Sequence, residues 1–215
     1  DFVISIFTQA VPKAGVGGTV TATDLLAVAA TRLDRELASD PAVAAELGLI
    51  IADSYDALGY TNETVPILRA AVTRAEASLG SGAPVTLDAK LALVSGIMLS
   101  DPRGALAILE EVLPAILRDF TANARRAVLA LRYKSFALAK LSRRDESYAA
   151  LRLGIDTAEK YLGVDHEETI VALGLLSNTE GRFADRKPQL EHATEALRRA
   201  TRAFAAQRPH NTLIA

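Results

Sequence analysis

The sequence predicts an all-α protein, built as a solenoid of antiparallel helix pairs, on three observations. Its apolar content lies mainly in alanine and leucine, with 5% aromatic residues, no Trp and one Met, which favours helices over strands. Apolar residues recur at intervals of three and four from about residue 22 onward, as they do in amphipathic helices. The helical segments themselves repeat with a period of about 41 residues, which lies in the range of solenoid proteins.

Cap and turn residues divide the chain into helices, taken here in order. The interruptions are Asp40-Pro41, Gly59 before Thr61, Leu79-Gly80 before Pro84, Ser100-Asp101-Pro102, Leu162-Gly163 before Asp165, and Gly181 before Asp185. They predict helices near 23–38, 42–58, 62–79, 85–99, 103–118, 122–141, 145–162, 166–180 and 185–206. A short apolar segment, Phe2 to Ala10, precedes these helices and is followed by a turn-forming stretch, Pro12 to Gly18.

The period appears when the second helix of each pair is aligned. Its central leucine is Leu68, Leu109, Leu151 and Leu190 in the four pairs. A small or branched residue follows three residues later, where the facing helix must come close: Ala71, Val112, Gly154 and Ala193. The predicted stops inside the pairs keep the same spacing, at Gly59, Ser100, Ser142 and Gly181. Four pairs in register predict a repeat array.

The segments between pairs also repeat. Leu79-Gly80 leads to Thr86, Leu162-Gly163 leads to Thr169, and Pro209-His210-Asn211 leads to Thr212. Pro66 and Pro188 lie in the first turn of a second helix, where no backbone N–H is needed. Over about residues 41–215 the chain resembles the tetratricopeptide repeat (TPR), in the longer form found in kinesin light chains. That resemblance implies a right-handed superhelix of about four pairs, with a fifth pair truncated at the C-terminus. In the third pair Lys134-Ser135 replaces the usual Leu-Gly step.

Residues 1–40 form a separate N-terminal junction segment by this division. Phe2 to Pro12, Thr19 to Thr21 and Asp24 through Leu37 are similar to the junction before such repeats in bacterial serine/threonine protein kinases. Because the chain begins at Asp1, we expect it to be a piece of a longer protein. The resemblance implies a kinase catalytic domain upstream, commonly followed by a membrane helix and then this junction. A winged-helix regulator upstream is the alternative. Both an extracytoplasmic and a cytoplasmic location stay open.

Composition and motifs argue against several function classes. The net charge of −2 gives no global field toward nucleic acid, and no apolar run approaches the roughly 18 residues of a membrane span. The absence of Cys excludes thiolate chemistry. Gly15 to Gly18 lacks the Lys-Ser/Thr of a phosphate-binding loop.

Candidate catalytic and metal-binding residues are equally sparse. His166, His192 and His210 do not form a metal-ligand pattern. Two basic clusters, one around Arg125 to Arg144 and one at Arg198 to Arg202, are interpreted as solvated surface. We therefore expect no enzymatic site, no cofactor, no metal and no nucleic-acid partner for this chain.

The expected function is binding of a protein or peptide in a concave groove lined by the first helix of each pair. Helical spacing selects as groove residues Asp53, Asp56, Lys90, Arg132, Phe136, Lys140 and Asn178. Cations near the middle of the groove would suit an acidic segment or a free carboxylate. The alternatives are a transcription-factor regulatory region and a self-associating scaffold, for which the chain would form a homodimer.

Overall fold

The computed structural model describes residues 21–182 and 186–207, with side chains described there except at positions 34, 62, 177–190 and 204–207. All regular secondary structure in these two ranges is α-helical. The helices are α1 (Ala22–Glu36), α2 (Pro41–Ala57), α3 (Thr61–Leu79), α4 (Pro84–Ile97), α5 (Pro102–Leu117), α6 (Phe120–Lys140), α7 (Arg144–Tyr161), α8 (Glu167–Arg182) and α9 (Arg186–Gln207). Each corresponds to a predicted helix, and the ends agree to about two residues.

Aspartate N-caps explain why the sequence predicts the starts of several helices correctly. The carboxylates of Asp40, Asp101 and Asp119 each accept a hydrogen bond from a backbone N–H in the first turn of α2, α5 and α6. Pro41 and Pro102 occupy the first helical position, where the missing N–H costs nothing. Helix α1 begins with a capping box between Thr21 and Asp24 that satisfies donors at both ends of the motif.

The turns within two of the pairs share one backbone conformation. Gly59 follows α2 with φ of 84°, and Ser142 follows α6 with φ of 62°. In each turn the next residue donates its N–H to a carbonyl five residues back, from Tyr60 to Tyr55 and from Arg143 to Leu138, both at 2.9 Å. This is the closure expected when a left-handed residue ends a helix.

The Leu-Gly…Thr segments between pairs have a clear structural role. Gly80 and Gly163 both take positive φ, at 84° and 104°. The fully buried hydroxyls of Thr86 and Thr169 donate to the carbonyl oxygens of these two glycines, at 2.8 and 2.7 Å. A threonine six residues after the glycine therefore ties the start of each new pair to the end of the preceding one. The third such segment, ending at Thr212, lies outside the described residues, as do Phe2 to Ala10 and Pro12 to Gly18.

The described residues fall into two compact units, one ending at Ile97 and one beginning at Met98. In the N-terminal unit α1 packs on α2, with Ala29 and Leu33 buried against Ile51 and Tyr55. Helices α2 and α3 come close at Gly48, where an added Cβ would lie 3.3 Å from the Cβ of Ala71. Small residues at this crossing permit the short interhelical distance.

In the C-terminal unit α7, α8 and α9 share a core. Leu151 and Ile155 of α7 pack with Leu173 and Leu176 of α8 and with Ala196 of α9. A second cluster joins α5, α6 and α7 through Leu106, Ala137, Leu138 and Ala150. Beside it lies a buried hydroxyl pair, Ser135 and Ser147, whose Oγ atoms are 3.0 Å apart. The Ser147 hydroxyl also contacts the Ser135 carbonyl, which allows close packing without an unpaired polar group.

One predicted position in the fourth pair was wrong. Ala193 is exposed, and Ala196, three residues later, takes the buried place on α9. Helix α8 ends at Arg182, next to the predicted stop at Gly181. The residues at which the facing helix comes close are then Ala71, Val112, Gly154 and Ala196. They follow one another at regular intervals of about 42 residues, as a solenoid of equal repeats requires.

No described helix combines the length and apolarity that a membrane crossing needs.

Candidate functional site

The first helices of the pairs, α2, α4, α6 and α8, carry the predicted binding residues. Helix α2 contacts α4 in the N-terminal unit, and α6 contacts α8 in the C-terminal unit. Steps of about 42 residues relate Asp53, Ser95, Phe136 and Asn178 as equivalent positions of these four helices. Three of the seven predicted site residues therefore occupy one position of the repeat. The side chain of Asn178 lies outside the part of the chain that the structure describes.

Helix α6 aligns Arg132, Phe136 and Lys140 at four-residue intervals along one side. Lys140 is exposed, and its ammonium lies 5.4 Å from the centre of the half-buried Phe136 ring, within cation–π range. We call these three residues, together with Glu168 of α8, the cationic face. The structure thus brings together the three site residues predicted on this helix.

Glu168 was not predicted as a site residue. Its carboxylate accepts a hydrogen bond from the Arg132 guanidinium at 2.8 Å, with both side chains largely shielded from solvent. The exposed Arg125 guanidinium approaches the same carboxylate at 3.7 Å. Glu168 therefore joins α6 to α8 and fixes Arg132 in place. The sequence did contain a signal for this contact. Glu168 is an acid in the first turn of α8, and α8 is the first helix of the pair that follows the basic helix α6.

Asp53 and Asp56 lie near the C-terminal end of α2, and both are exposed. Partial burial, and then the negative charge of Asp56, raise the pKa of the Asp53 carboxyl above its usual value. Both residues belong to the N-terminal unit, whereas the cationic face belongs to the C-terminal unit.

Lys90 does not lie on an open face, which corrects its assignment to the groove. It is 3% exposed, and its ammonium pairs with the Glu76 carboxylate of α3 at 2.5 Å. Repeat spacing explains the position, because Lys90 follows Thr86 by four residues, as the buried Leu173 follows Thr169. Lysine here occupies a core site of the repeat and needs a charged partner to be buried there.

The basic cluster of α9 is engaged by neighbouring acids. Arg199 contacts Glu159 of α7 and Glu195 of its own helix, at 2.6 and 2.7 Å. Arg202 pairs with Asp165 in the segment before α8. Hydrogen bonds from Arg198, and next from Arg199, lower the pKa of Glu195 to about 2. These contacts agree with the interpretation of the cluster as balanced surface charge.

Within the described residues, no group of three or more His, Cys, Asp or Glu side chains could hold a metal ion. His166 Nδ1 accepts a hydrogen bond from the backbone N–H of Glu168, so it acts as a helix-start residue, as its sequence position predicts.

No protein-family model and no curated protein matches this chain. Among solved structures, it is similar to a variant of the nearly identical TPR-like repeats of a kinesin light chain from Podospora anserina. That match has a TM-score of 0.70 at 18% identity and covers 86% of this chain and 87% of the other. A second structure of those repeats gives 0.62 at 14% identity, with 97% and 96% covered.

The crystal structure of MamA is a further match, with a TM-score of 0.57 at 15% identity, covering 87% of this chain and 99% of MamA. At such identities the likeness concerns the fold alone. The chain therefore has the fold of TPR-like α-solenoids, and the prediction of an all-α array of helix pairs is confirmed.

Proposed function

We propose that this chain is a non-catalytic module that binds a segment of a partner protein on the cationic face. The observation that carries the proposal is the pairing of the exposed Lys140 with the half-buried Phe136, beside an Arg132 that is hydrogen-bonded to Glu168. The TPR-like fold supports it, because stacked pairs leave their first helices free to form a binding surface.

The chemistry of the face favours an acidic segment or a chain-terminal carboxylate. Lys140 can donate a charge-assisted hydrogen bond to a carboxylate, and the Phe136 ring offers apolar area beside it. Arg132 is already engaged, so its part is to shape the face and add positive potential. A partner carboxylate would thus meet Lys140 first.

The test is partner capture by the purified chain and by two lysine variants, from lysate of the source organism. We expect Lys140→Glu to lose partners that the parent chain holds saturably. Lys160→Glu is the matched control, since Lys160 is also exposed and its ammonium lies 4.8 Å from the centre of the Tyr161 ring, but on α7. Equal loss with both variants, or with neither, would remove the cationic face as the binding site.

Reversing Arg132 would be a poor test of the same face. A glutamate at that position would confront Glu168 and oppose the packing of α6 on α8, so lost binding would be confounded with lost folding. Phe136→Ala is the better second variant. It should weaken capture by removing apolar contact, while circular dichroism stays unchanged.

We further propose that the module is the partner-sensing region of a bacterial serine/threonine kinase. The support is the sequence resemblance of the junction at residues 2–37, of which residues 21–37 are described and contain the capped helix α1. The coding sequence upstream of Asp1 tests this proposal. Kinase motifs in that sequence would support the proposal, whereas a winged-helix pattern would replace the kinase with a transcriptional regulator. A molecular mass that rises with protein concentration, measured by light scattering, would instead favour a self-associating scaffold.

A further inference from the structure

A second exposed face, of opposite charge, lies in the N-terminal unit on α2. Val43, Glu46, Ile50 and Asp53 follow one another at three- and four-residue intervals and therefore share one side of the helix. All four are exposed, Val43 at 39% and Ile50 at 59%. Two large apolar side chains therefore alternate with two acids along this side of the helix.

Helix α4 extends this face. Asp88, Ala92 and Ser95 stand one repeat after Glu46, Ile50 and Asp53, on the helix that contacts α2. Ala92 is partly exposed and Ser95 is exposed, and both are small, so α4 places no large side chain at these two positions. We call these seven residues of α2 and α4 the acidic face.

The charge of this face is uniform. Helix α2 contains Glu46, Asp53 and Asp56 and no Lys or Arg. The one lysine of α4, Lys90, is buried and paired with Glu76. Partial burial, and next the negative charge of Asp56, raise the pKa of the Asp53 carboxyl, and a bound cation would stabilise this carboxylate against both effects.

We propose that the acidic face binds a basic amphipathic helix of a partner protein. Val43 and Ile50 would contact the apolar side of that helix, and its Lys or Arg side chains would reach the carboxylates of Glu46 and Asp53. This goes beyond the binding of acidic segments at the cationic face, since it assigns a second site to the other unit. Charge complementarity and the exposed Ile50 determine the choice of occupant.

The test uses a fluorescein-labelled 18-residue peptide of Leu and Lys in amphipathic helical order, with a Leu and Glu peptide of identical pattern as its control. Fluorescence anisotropy should show saturable binding of the Leu/Lys peptide at physiological salt and no saturable binding of the Leu/Glu peptide. Ile50→Ser should weaken binding about tenfold or more, the change expected when one large apolar contact is lost.

Charge reversal provides the second arm. Asp53→Lys with Asp56→Lys should abolish binding. Because these positions lie near the C-terminal end of α2, lysines there favour the helix dipole and the fold should be retained. Glu110→Lys with Asp156→Lys is the matched control, making the same charge change at exposed residues of α5 and α7. This control should bind the peptide within about twofold of the parent chain.

Several outcomes would overturn the proposal: equal binding of both peptides, equal effects of the two charge reversals, or binding insensitive to Ile50→Ser. Dimerisation that Ile50→Ser abolishes, without peptide binding, would assign the face to a second copy instead. Lys140→Glu should leave peptide binding unchanged, so failure at this face is distinguishable from failure at the cationic face.

Discussion

At the scale of single residues, Lys90 is the most instructive. Its equivalents Leu131 and Leu173 are buried leucines, yet Lys90 is buried as an ammonium beside Glu76. The sequence alone suggested an exposed lysine, because helical spacing within α4 was judged without reference to the neighbouring repeats. The period of about 42 residues contained the needed information, since it places Lys90 in the leucine register.

We expect the protein to tolerate removal of the buried charge at Lys90, but not removal of the Glu76 carboxylate that pairs with it. Glu76→Gln should lower the free energy of unfolding by about 1–2 kcal/mol, because it removes the charged carboxylate that pairs with the buried ammonium; partial exposure of Glu76 keeps the loss below that of a fully buried pair. Lys90→Met should be neutral or stabilising, since an unbranched apolar side chain restores the core register. Urea denaturation of both variants measures this.

The double variant completes the cycle. Once Lys90 is methionine, the further change Glu76→Gln should cost about 0.5 kcal/mol or less, because no buried charge remains to be satisfied. A Lys90→Met variant as unstable as Glu76→Gln would contradict this account and would make the lysine itself a required structural element.

At the scale of helices, prediction succeeded where local chemistry marks a boundary. Asp40-Pro41 and Asp101-Pro102 begin α2 and α5 because a carboxylate cap and a first-position proline act within one turn. It failed inside α9, where no cap or turn residue marks the register. The second helices were aligned on their central leucines, and the choice of Leu190 placed the close approach at Ala193 instead of Ala196, three residues later.

Helix α8 contains a glycine with no packing reason for its absent side chain. A Cβ added at Gly174 would meet nothing within 4 Å, apart from its own neighbours in the helix. We therefore expect Gly174→Ala to stabilise the protein by about 0.5–1 kcal/mol, because alanine loses less backbone entropy in a helix interior. Thermal unfolding followed by circular dichroism measures the gain.

Gly48→Ala is the matched control for that substitution. It makes the same change in α2, but there the new Cβ would lie 3.3 Å from the Cβ of Ala71, so α2 and α3 must separate slightly. Its gain should be smaller or negative. Equal gains at both positions would mean that the α2–α3 crossing is looser than its geometry indicates.

At the scale of the whole molecule, the fold was predictable and the distribution of charge was not. Periodicity, caps and repeat spacing define the helix pairs, because each acts locally or at a fixed interval. A cation stays available to a partner only if no acid of another helix pairs with it. The acids that do so lie 36 to 40 residues away in sequence, as in the pairs Arg132 with Glu168 and Arg199 with Glu159. Such pairings follow from the register of packed helices, which composition does not reveal.

Ion pairs within α9, from Arg198 and Arg199 to Glu195, should contribute to acid stability. Glu195 has its pKa lowered to about 2 by Arg198 and Arg199, against an ordinary value of 4.5. Between these two pH values the unfolded chain binds a proton at Glu195 that the folded chain does not, so stability rises with pH through this window. The contribution is complete above about pH 4.5 and is lost as the pH falls toward 2.

Replacing the carboxylate removes that dependence. We expect Glu195→Gln to lower the melting temperature at pH 6, and the difference from the parent chain to shrink as the pH falls from 5 toward 2. A constant difference for Glu195→Gln across this range would show that its arginine contacts do not survive in solution, because a persistent ion pair must titrate with its acid.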